Sequence, residues 1–159
     1  MIATGSMILS DRFRYLEPMR GADDLISNPS RLQFHIPQGK SGWLQRAFEQ
    51  ISAIADLKPG WDSQGADPPD ETILQGAVSL LLALHQTGRV PKPHIHPARS
   101  GGVQFEWENG PRYFEIELVA ETRASFFYSD AASQFETSGS IREGDSLEEV
   151  TVLIRQVAC

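Results

Sequence analysis

The stretch from Gly101 to Leu118 constrains this chain more than any other, because it reads as two strands of a β-hairpin with one apolar and one acidic face. Val103, Phe105 and Trp107 alternate with Gln104, Glu106 and Glu108. Beyond Asn109-Gly110, the residues Phe114, Ile116 and Leu118 alternate with Tyr113, Glu115 and Glu117. A period of two places each set on one side of a pleated strand. Asn109-Gly110 suits a two-residue type I′ turn, since both residue types accept φ > 0 at little steric cost. With those two as the loop, Phe105 faces Phe114 and Val103 faces Ile116, while Gln104 faces Glu115 and Glu106 faces Tyr113. The apolar side of such a hairpin requires a second layer to cover it.

Helical periodicity supplies that layer. Ser41 is placed to cap a helix whose stripe is Leu44, Ala47, Phe48, Ile51, Ile54 and Ala55, and Lys58-Pro59-Gly60 stops it. After the loop Gly60 to Ala66, Asp67 is placed to cap a second helix from about Pro68 to Gln86. Its stripe is Ile73, Ala77, Leu80, Leu81 and Leu84, with Gly88 as the stop. Leu74, Val78 and Leu82 make that helix apolar most of the way round near its end, which marks it as the most deeply buried of the set. A last helix starts at Asp145 or Ser146, with Glu149 completing a capping box, and carries Leu147, Val150, Leu153, Ile154 and Val157. Between the helices, Pro91 to Pro97 is an extended lead-in around His94-Ile95-His96, Ala124 to Ser129 a third strand, and Gln134 to Ile141 a fourth, weaker one. Arg31 to Ile36 alternates too, with Leu32, Phe34 and Ile36 on one side, and Pro37 confines it to an edge.

The expectation is an α+β fold, an antiparallel β-meander of three to five strands packed on one face by two to three α-helices as a two-layer sandwich. At 159 residues the chain suits a single domain, 1–159, in which residues 1–40 form an N-terminal segment whose short strand can serve as a dimerisation arm.

Charge is uneven along the chain. Against a net charge of -7, Met1 to Arg46 holds six basic and four acidic residues, whereas Val103 to Glu149 holds eleven acidic and three basic. An acidic sheet face repels a phosphate backbone, so nucleic acid is disfavoured as a partner. The lone cysteine, Cys159, cannot form an internal bridge. No apolar run approaches the ~18 residues of a membrane span, and no signal-peptide pattern opens the chain, so the expected location is the cytoplasm, away from membranes.

Gly60-Trp61-Asp62-Ser63-Gln64-Gly65-Ala66, the proline-bearing helix start, Pro93 with Pro97, and Gly101-Gly102-Val103-Gln104-Phe105-Glu106-Trp107 with Glu115-Ile116-Glu117 resemble the signature of an uncharacterised family of small bacterial proteins. The resemblance covers roughly Trp43 to Asp130. It implies a bacterial, dispensable role among mobile or accessory genes, and it brings no catalytic residues with it.

Three groups of residues can carry a function. His94 and His96, two apart on an extended segment, project to the same side beside Glu106, Glu115 and Glu117, an arrangement that suits zinc or iron; the plain alternative is two solvated histidines opposite a buried Ile95. Glu106 with Glu115 or Glu117 on adjacent strands has the spacing of an acid and base pair, yet a flat open face offers no pocket and no desolvation. Trp61 and Asp62 can form a recognition loop, or Trp61 can plug the end of the core while Asp62 bonds loop amides. No nucleophile elbow, phosphate loop or dinucleotide fingerprint occurs. The preferred reading is a non-enzymatic binding module that docks a protein partner or its own copy through Trp61, Asp62, Gln104, Glu106, Glu115 and Glu117, with no cofactor. A small metal-dependent or acid/base enzyme using His94, His96 and the sheet glutamates is the alternative.

Overall fold

The computed structural model describes residues 42–88, 90–142 and 144–159, which run α1 (Gly42–Ala55), α2 (Glu71–Gln86), β1 (His94–Pro97), β2 (Val103–Asn109), β3 (Arg112–Ala120), β4 (Arg123–Asp130), β5 (Phe135–Arg142) and α3 (Glu148–Ala158). The expected strand Arg31 to Ile36 and the expected cap Ser41 lie outside the described residues.

The five strands form one antiparallel meander in the order β1-β2-β3-β4-β5. Because directly paired residues share a face, the registers define three core rows. Ile95, Phe105, Ile116, Phe126 and Gly139 make one; Pro97, Val103, Leu118, Ala124 and Ile141 a second; Trp107, Phe114, Tyr128 and Thr137 a third. All three helices lie on this side. α1 packs on β1 and α2, α2 on β2 and β3, and α3 on β2 and β3. Burying Phe105, Phe114 and Ile116 completely, together with Ile51, Leu81, Leu84 and Ile154 from the helices, gives one continuous core. Trp107 sits in it with its indole N–H donating to the carbonyl of Pro91 at 3.0 Å, so its single polar atom is satisfied. This is the expected α+β sandwich, and the facing of β4, which a run of Phe126, Phe127 and Tyr128 leaves open in sequence, is settled with Phe126 and Tyr128 inward.

Several local expectations are corrected. The hairpin turns on Gly110-Pro111, not Asn109-Gly110, and Asn109 pairs with Arg112. A loop of Asn109-Gly110 would ask Pro111 to donate the closing hydrogen bond, and proline has no N–H. Gly110 instead takes φ +59°, the left-handed value that the first loop position of a type II′ turn needs, while proline suits the second. The register moves by two residues, so Phe105 faces Ile116, Val103 faces Leu118, Gln104 faces Glu117 and Glu106 faces Glu115, with every side chain still on its expected face.

The second helix begins later than expected. Asp70, not Asp67, is the cap, its carboxylate accepting from the Ile73 N–H at 2.9 Å after two prolines that delay the helix. The buried face of α2 keeps Ala77, Leu81 and Leu84 of the expected stripe but has Leu74 and Val78 in place of Ile73 and Leu80, which are half-buried. A helix apolar nearly all round can be rotated by its neighbours, and α1 on one flank with the sheet on the other selects the face. Ala55 is likewise only half-buried. α3 starts at Glu148 with Leu147 as its unassisted cap residue. Ser146 accepts from the Glu148 N–H at 3.2 Å and Asp145 turns back to the Arg142 N–H at 2.8 Å, in place of a capping box.

Candidate functional site

Among the described residues, nothing covers the side of the sheet away from the helices. Alternation delivers His94 and His96 from β1, Gln104 and Glu106 from β2, and Tyr113, Glu115 and Glu117 from β3 to this face. Residues directly opposite and on the diagonal of neighbouring strands are within reach of long side chains, and here the diagonals carry the bonds. Gln104 donates to Glu115 Oε2 at 2.7 Å, and the Tyr113 hydroxyl is bonded to Glu106 Oε1 at 3.0 Å and to Glu115 Oε2. His96 Nε2 lies 3.3 Å from Glu106 Oε2. At the end of the row, Ser100, from the loop after β1, donates to Glu117 Oε1 at 2.6 Å. The pairs expected to face one another, Gln104 with Glu115 and Glu106 with Tyr113, therefore do meet, across the diagonal.

The electrostatic problem of this face is Glu106 directly opposite Glu115, a like-charge cross-strand pair that is unfavourable by itself. Tyr113 lies between them, its hydroxyl within bonding distance of both and its single proton donated to one carboxylate at a time. Burial first, and then the two carboxylate bonds, push the Tyr113 hydroxyl far above its ordinary value of 10.0. It stays protonated at any physiological pH. Tyr113 is thus a fixed donor and cannot serve as a base or a phenolate nucleophile.

For metal chemistry the geometry gives little. The rings of His94 and His96 are near-parallel at 7° with centroids 6.4 Å apart, and His96 is turned to Glu106. Among the described residues no group of three or more His, Cys, Asp or Glu side chains is placed to hold a metal ion. For acid and base chemistry, Glu106 and Glu115 are adjacent, but two grooves formed by the described residues lie elsewhere. One, of about 680 Å³, runs between α3 and the β4–β5 turn past Arg112, Tyr128, Phe135, Val152 and Arg155. Another, of about 280 Å³, is walled by Pro91, Trp107 and Val157 and reaches His94. Neither is lined by Glu106, Glu115 or Glu117.

The Trp61-Asp62 loop is a closed structural unit. Asp62 Oδ1 accepts from the N–H groups of Gln64 and Ala66 at 2.8 and 3.0 Å, and Gly60 donates to the Ala66 carbonyl at 2.8 Å across the loop mouth. Arg99, from the loop after β1, lies with Nε 2.9 Å from Asp62 Oδ2, off the axis of a hydrogen bond, and donates through a terminal nitrogen to Gln64 Oε1 at 2.7 Å. The two backbone N–H groups, with Arg99 helping, hold the Asp62 carboxyl below the usual carboxylate range. Trp61 does not plug the core. It is half-buried, and its indole N–H donates to the Asp67 carbonyl at 3.3 Å, bracing the loop.

Sequence reasoning placed Tyr113 on the acidic face without seeing it as the centre of the network, although its parity with Glu115 was the signal. Arg99 and Ser100 carried no such signal, because they act across separations of 37 and 17 residues, set only by the way β1 folds onto β2 and the loop.

No family model, curated protein or solved structure matches this chain. None of the described helices is long and apolar enough to cross a membrane.

Proposed function

We propose that the chain is a non-enzymatic binding module of a bacterial mobile or accessory gene, and that the open sheet face docks a basic protein surface. What carries this reading is the hydrogen-bonded row Glu106, Tyr113, Glu115 and Gln104, with His96 beside Glu106, a polar surface held by its own contacts and open to a flat partner. Preorganised side chains lose little entropy on docking. Carboxylates flanked by an aromatic hydroxyl and two imidazoles match lysine and arginine, and Phe127, half-buried on the same face, offers an apolar contact at its centre. The Trp61-Asp62 loop is tied through Arg99 to the loop after β1, whose Ser100 bonds Glu117 at the end of the row. The test compares proteins captured from the source cell on the wild-type chain and on a Glu106→Lys, Glu117→Lys variant of unchanged circular dichroism. Basic proteins retained by the former and reduced at least about tenfold on the latter, a difference of ~1.4 kcal/mol, are expected. Equal retention would overturn the reading, as would stoichiometric zinc or iron in protein purified without a histidine tag.

A further inference from the structure

The two edges of the sheet are built differently. β1 is only His94–Pro97, is preceded by Pro91 and Pro93, and closes on Pro97, so it presents little to an incoming strand. β5 is Phe135–Arg142, twice as long, with no proline and no lysine. Its outward backbone groups follow from the hairpin. Asn109 and Arg112 form the hydrogen-bonded pair that closes the two-residue loop, and alternation carried across β3 and β4 turns the N–H and C=O of Phe135, Thr137, Gly139 and Ile141 toward β4. Those of Glu136, Ser138, Ser140 and Arg142 point away from the sheet. Arg142 is already engaged, its N–H donating to Asp145 and its carbonyl accepting from the Asp145 N–H. Glu136, Ser138 and Ser140 are left, and among the described residues nothing bonds their outward groups.

We infer that a second copy of this chain pairs with this edge, β5 against β5 and antiparallel, about a two-fold axis at Ser138. Three observations select that partner and that register. The free residues, Glu136, Ser138 and Ser140, are symmetric about Ser138, so a two-fold there lets them satisfy one another with about six ladder bonds and leaves Arg142 with its cap. The same register sets the ring of Phe135, 52% exposed and on the helix side of the sheet, opposite Ile141 of the second copy. Thr137 then faces Gly139, where the absence of a side chain leaves the room that the Phe126 ring needs over this strand. On the open face the charges agree, for Glu136 faces Ser140 and has Arg142 of the second copy on its diagonal, with no like charges directly opposed. The product is one continuous sheet of ten strands whose two open faces look the same way.

This inference does not rest on the docking role of the open face, and it fails separately. Mass in solution of the full chain, by sedimentation or light scattering at on the order of 100 µM, is expected to be that of a dimer. Ser138→Pro removes an outward N–H and no bond to β4, so it is expected to give a monomer of unchanged circular dichroism. Glu136→Lys, on an exposed side chain, is expected to weaken the dimer several-fold by setting a second positive charge on the diagonal from Arg142 of the second copy, and Arg142→Glu added to it to restore the affinity. A monomeric wild type, with the edge covered by residues 1–41 of its own chain or by solvent, would overturn the inference. So would a folded Ser138→Pro protein that stays dimeric, or a Glu136→Lys protein that dimerises as tightly as the wild type.

Discussion

Replacing Gly76 by alanine sets two effects of opposite sign against each other at one position in the middle of α2. Helix propensity alone makes the substitution favourable by about 1 kcal/mol, since glycine loses more backbone freedom on folding than alanine. The tertiary structure opposes it. A Cβ built on Gly76 would lie 2.4 Å from the carbonyl oxygen of Glu121 and 3.0 Å from its C and Cα, where ordinary contact begins at 3.4 Å. Glu121 belongs to the tight turn between β3 and β4, so the obstacle is backbone that cannot rotate aside. Relief requires α2 to retreat by roughly an ångström along the face that buries Leu74, Ala77, Val78 and Leu81. Overpacking of this kind costs about 1–3 kcal/mol, and a backbone obstacle belongs at the upper end. The net expectation is a loss of about 1–2 kcal/mol, read in urea as a lower midpoint at unchanged slope, or as a fall of about 2–4 °C in Tm per kcal/mol. An unchanged or raised midpoint would refute the reasoning, because it would mean that α2 does not approach the turn closely enough for a methyl group to matter.

Two further predictions follow from the core and the loop. Phe105→Ala removes a fully buried ring between β1 and β3 and is expected to cost about 3–5 kcal/mol in the same titration; a loss below about 1 kcal/mol would mean that the faces of the hairpin are reversed. Asp62 has its carboxyl held below 3.8 by the amides of Ala66 and Gln64, so protonating it is harder in the folded chain than in the unfolded one. Its contribution to stability is then complete above 3.8 and is lost as the pH falls through the folded value. Asp62→Asn is expected to flatten the acid limb of stability against pH, and an unaltered limb would show that the loop does not depend on the charge.

Alternation of two along Val103 to Trp107 and Phe114 to Leu118 was enough to specify the sheet, its antiparallel pairing and the face each side chain takes, because a strand that buries one side has no other way to arrange them. The polar row was legible for the same reason: Gln104, Glu106, Tyr113, Glu115 and Glu117 are the complement of the core residues. The stripes of α1 and α3 were equally plain, since each of those helices has one apolar side to offer. Where the sequence allows several near-equal local solutions, tertiary contacts chose. Asn-Gly and Gly-Pro are both acceptable loops until the closing hydrogen bond is required from Pro111, and α2 is apolar on so much of its surface that its neighbours set its rotation. The run Phe126, Phe127 and Tyr128 has no period of its own, so its facing was inherited from β3 through the register. The clamp of Arg99 on Asp62, the Tyr113 hydroxyl shared by two carboxylates and the free edge of β5 depend on distances between segments far apart in the chain. Local periodicity carries no information about such distances, which arise only when the helices close over one side of the sheet and, among the described residues, leave the other side and one edge uncovered.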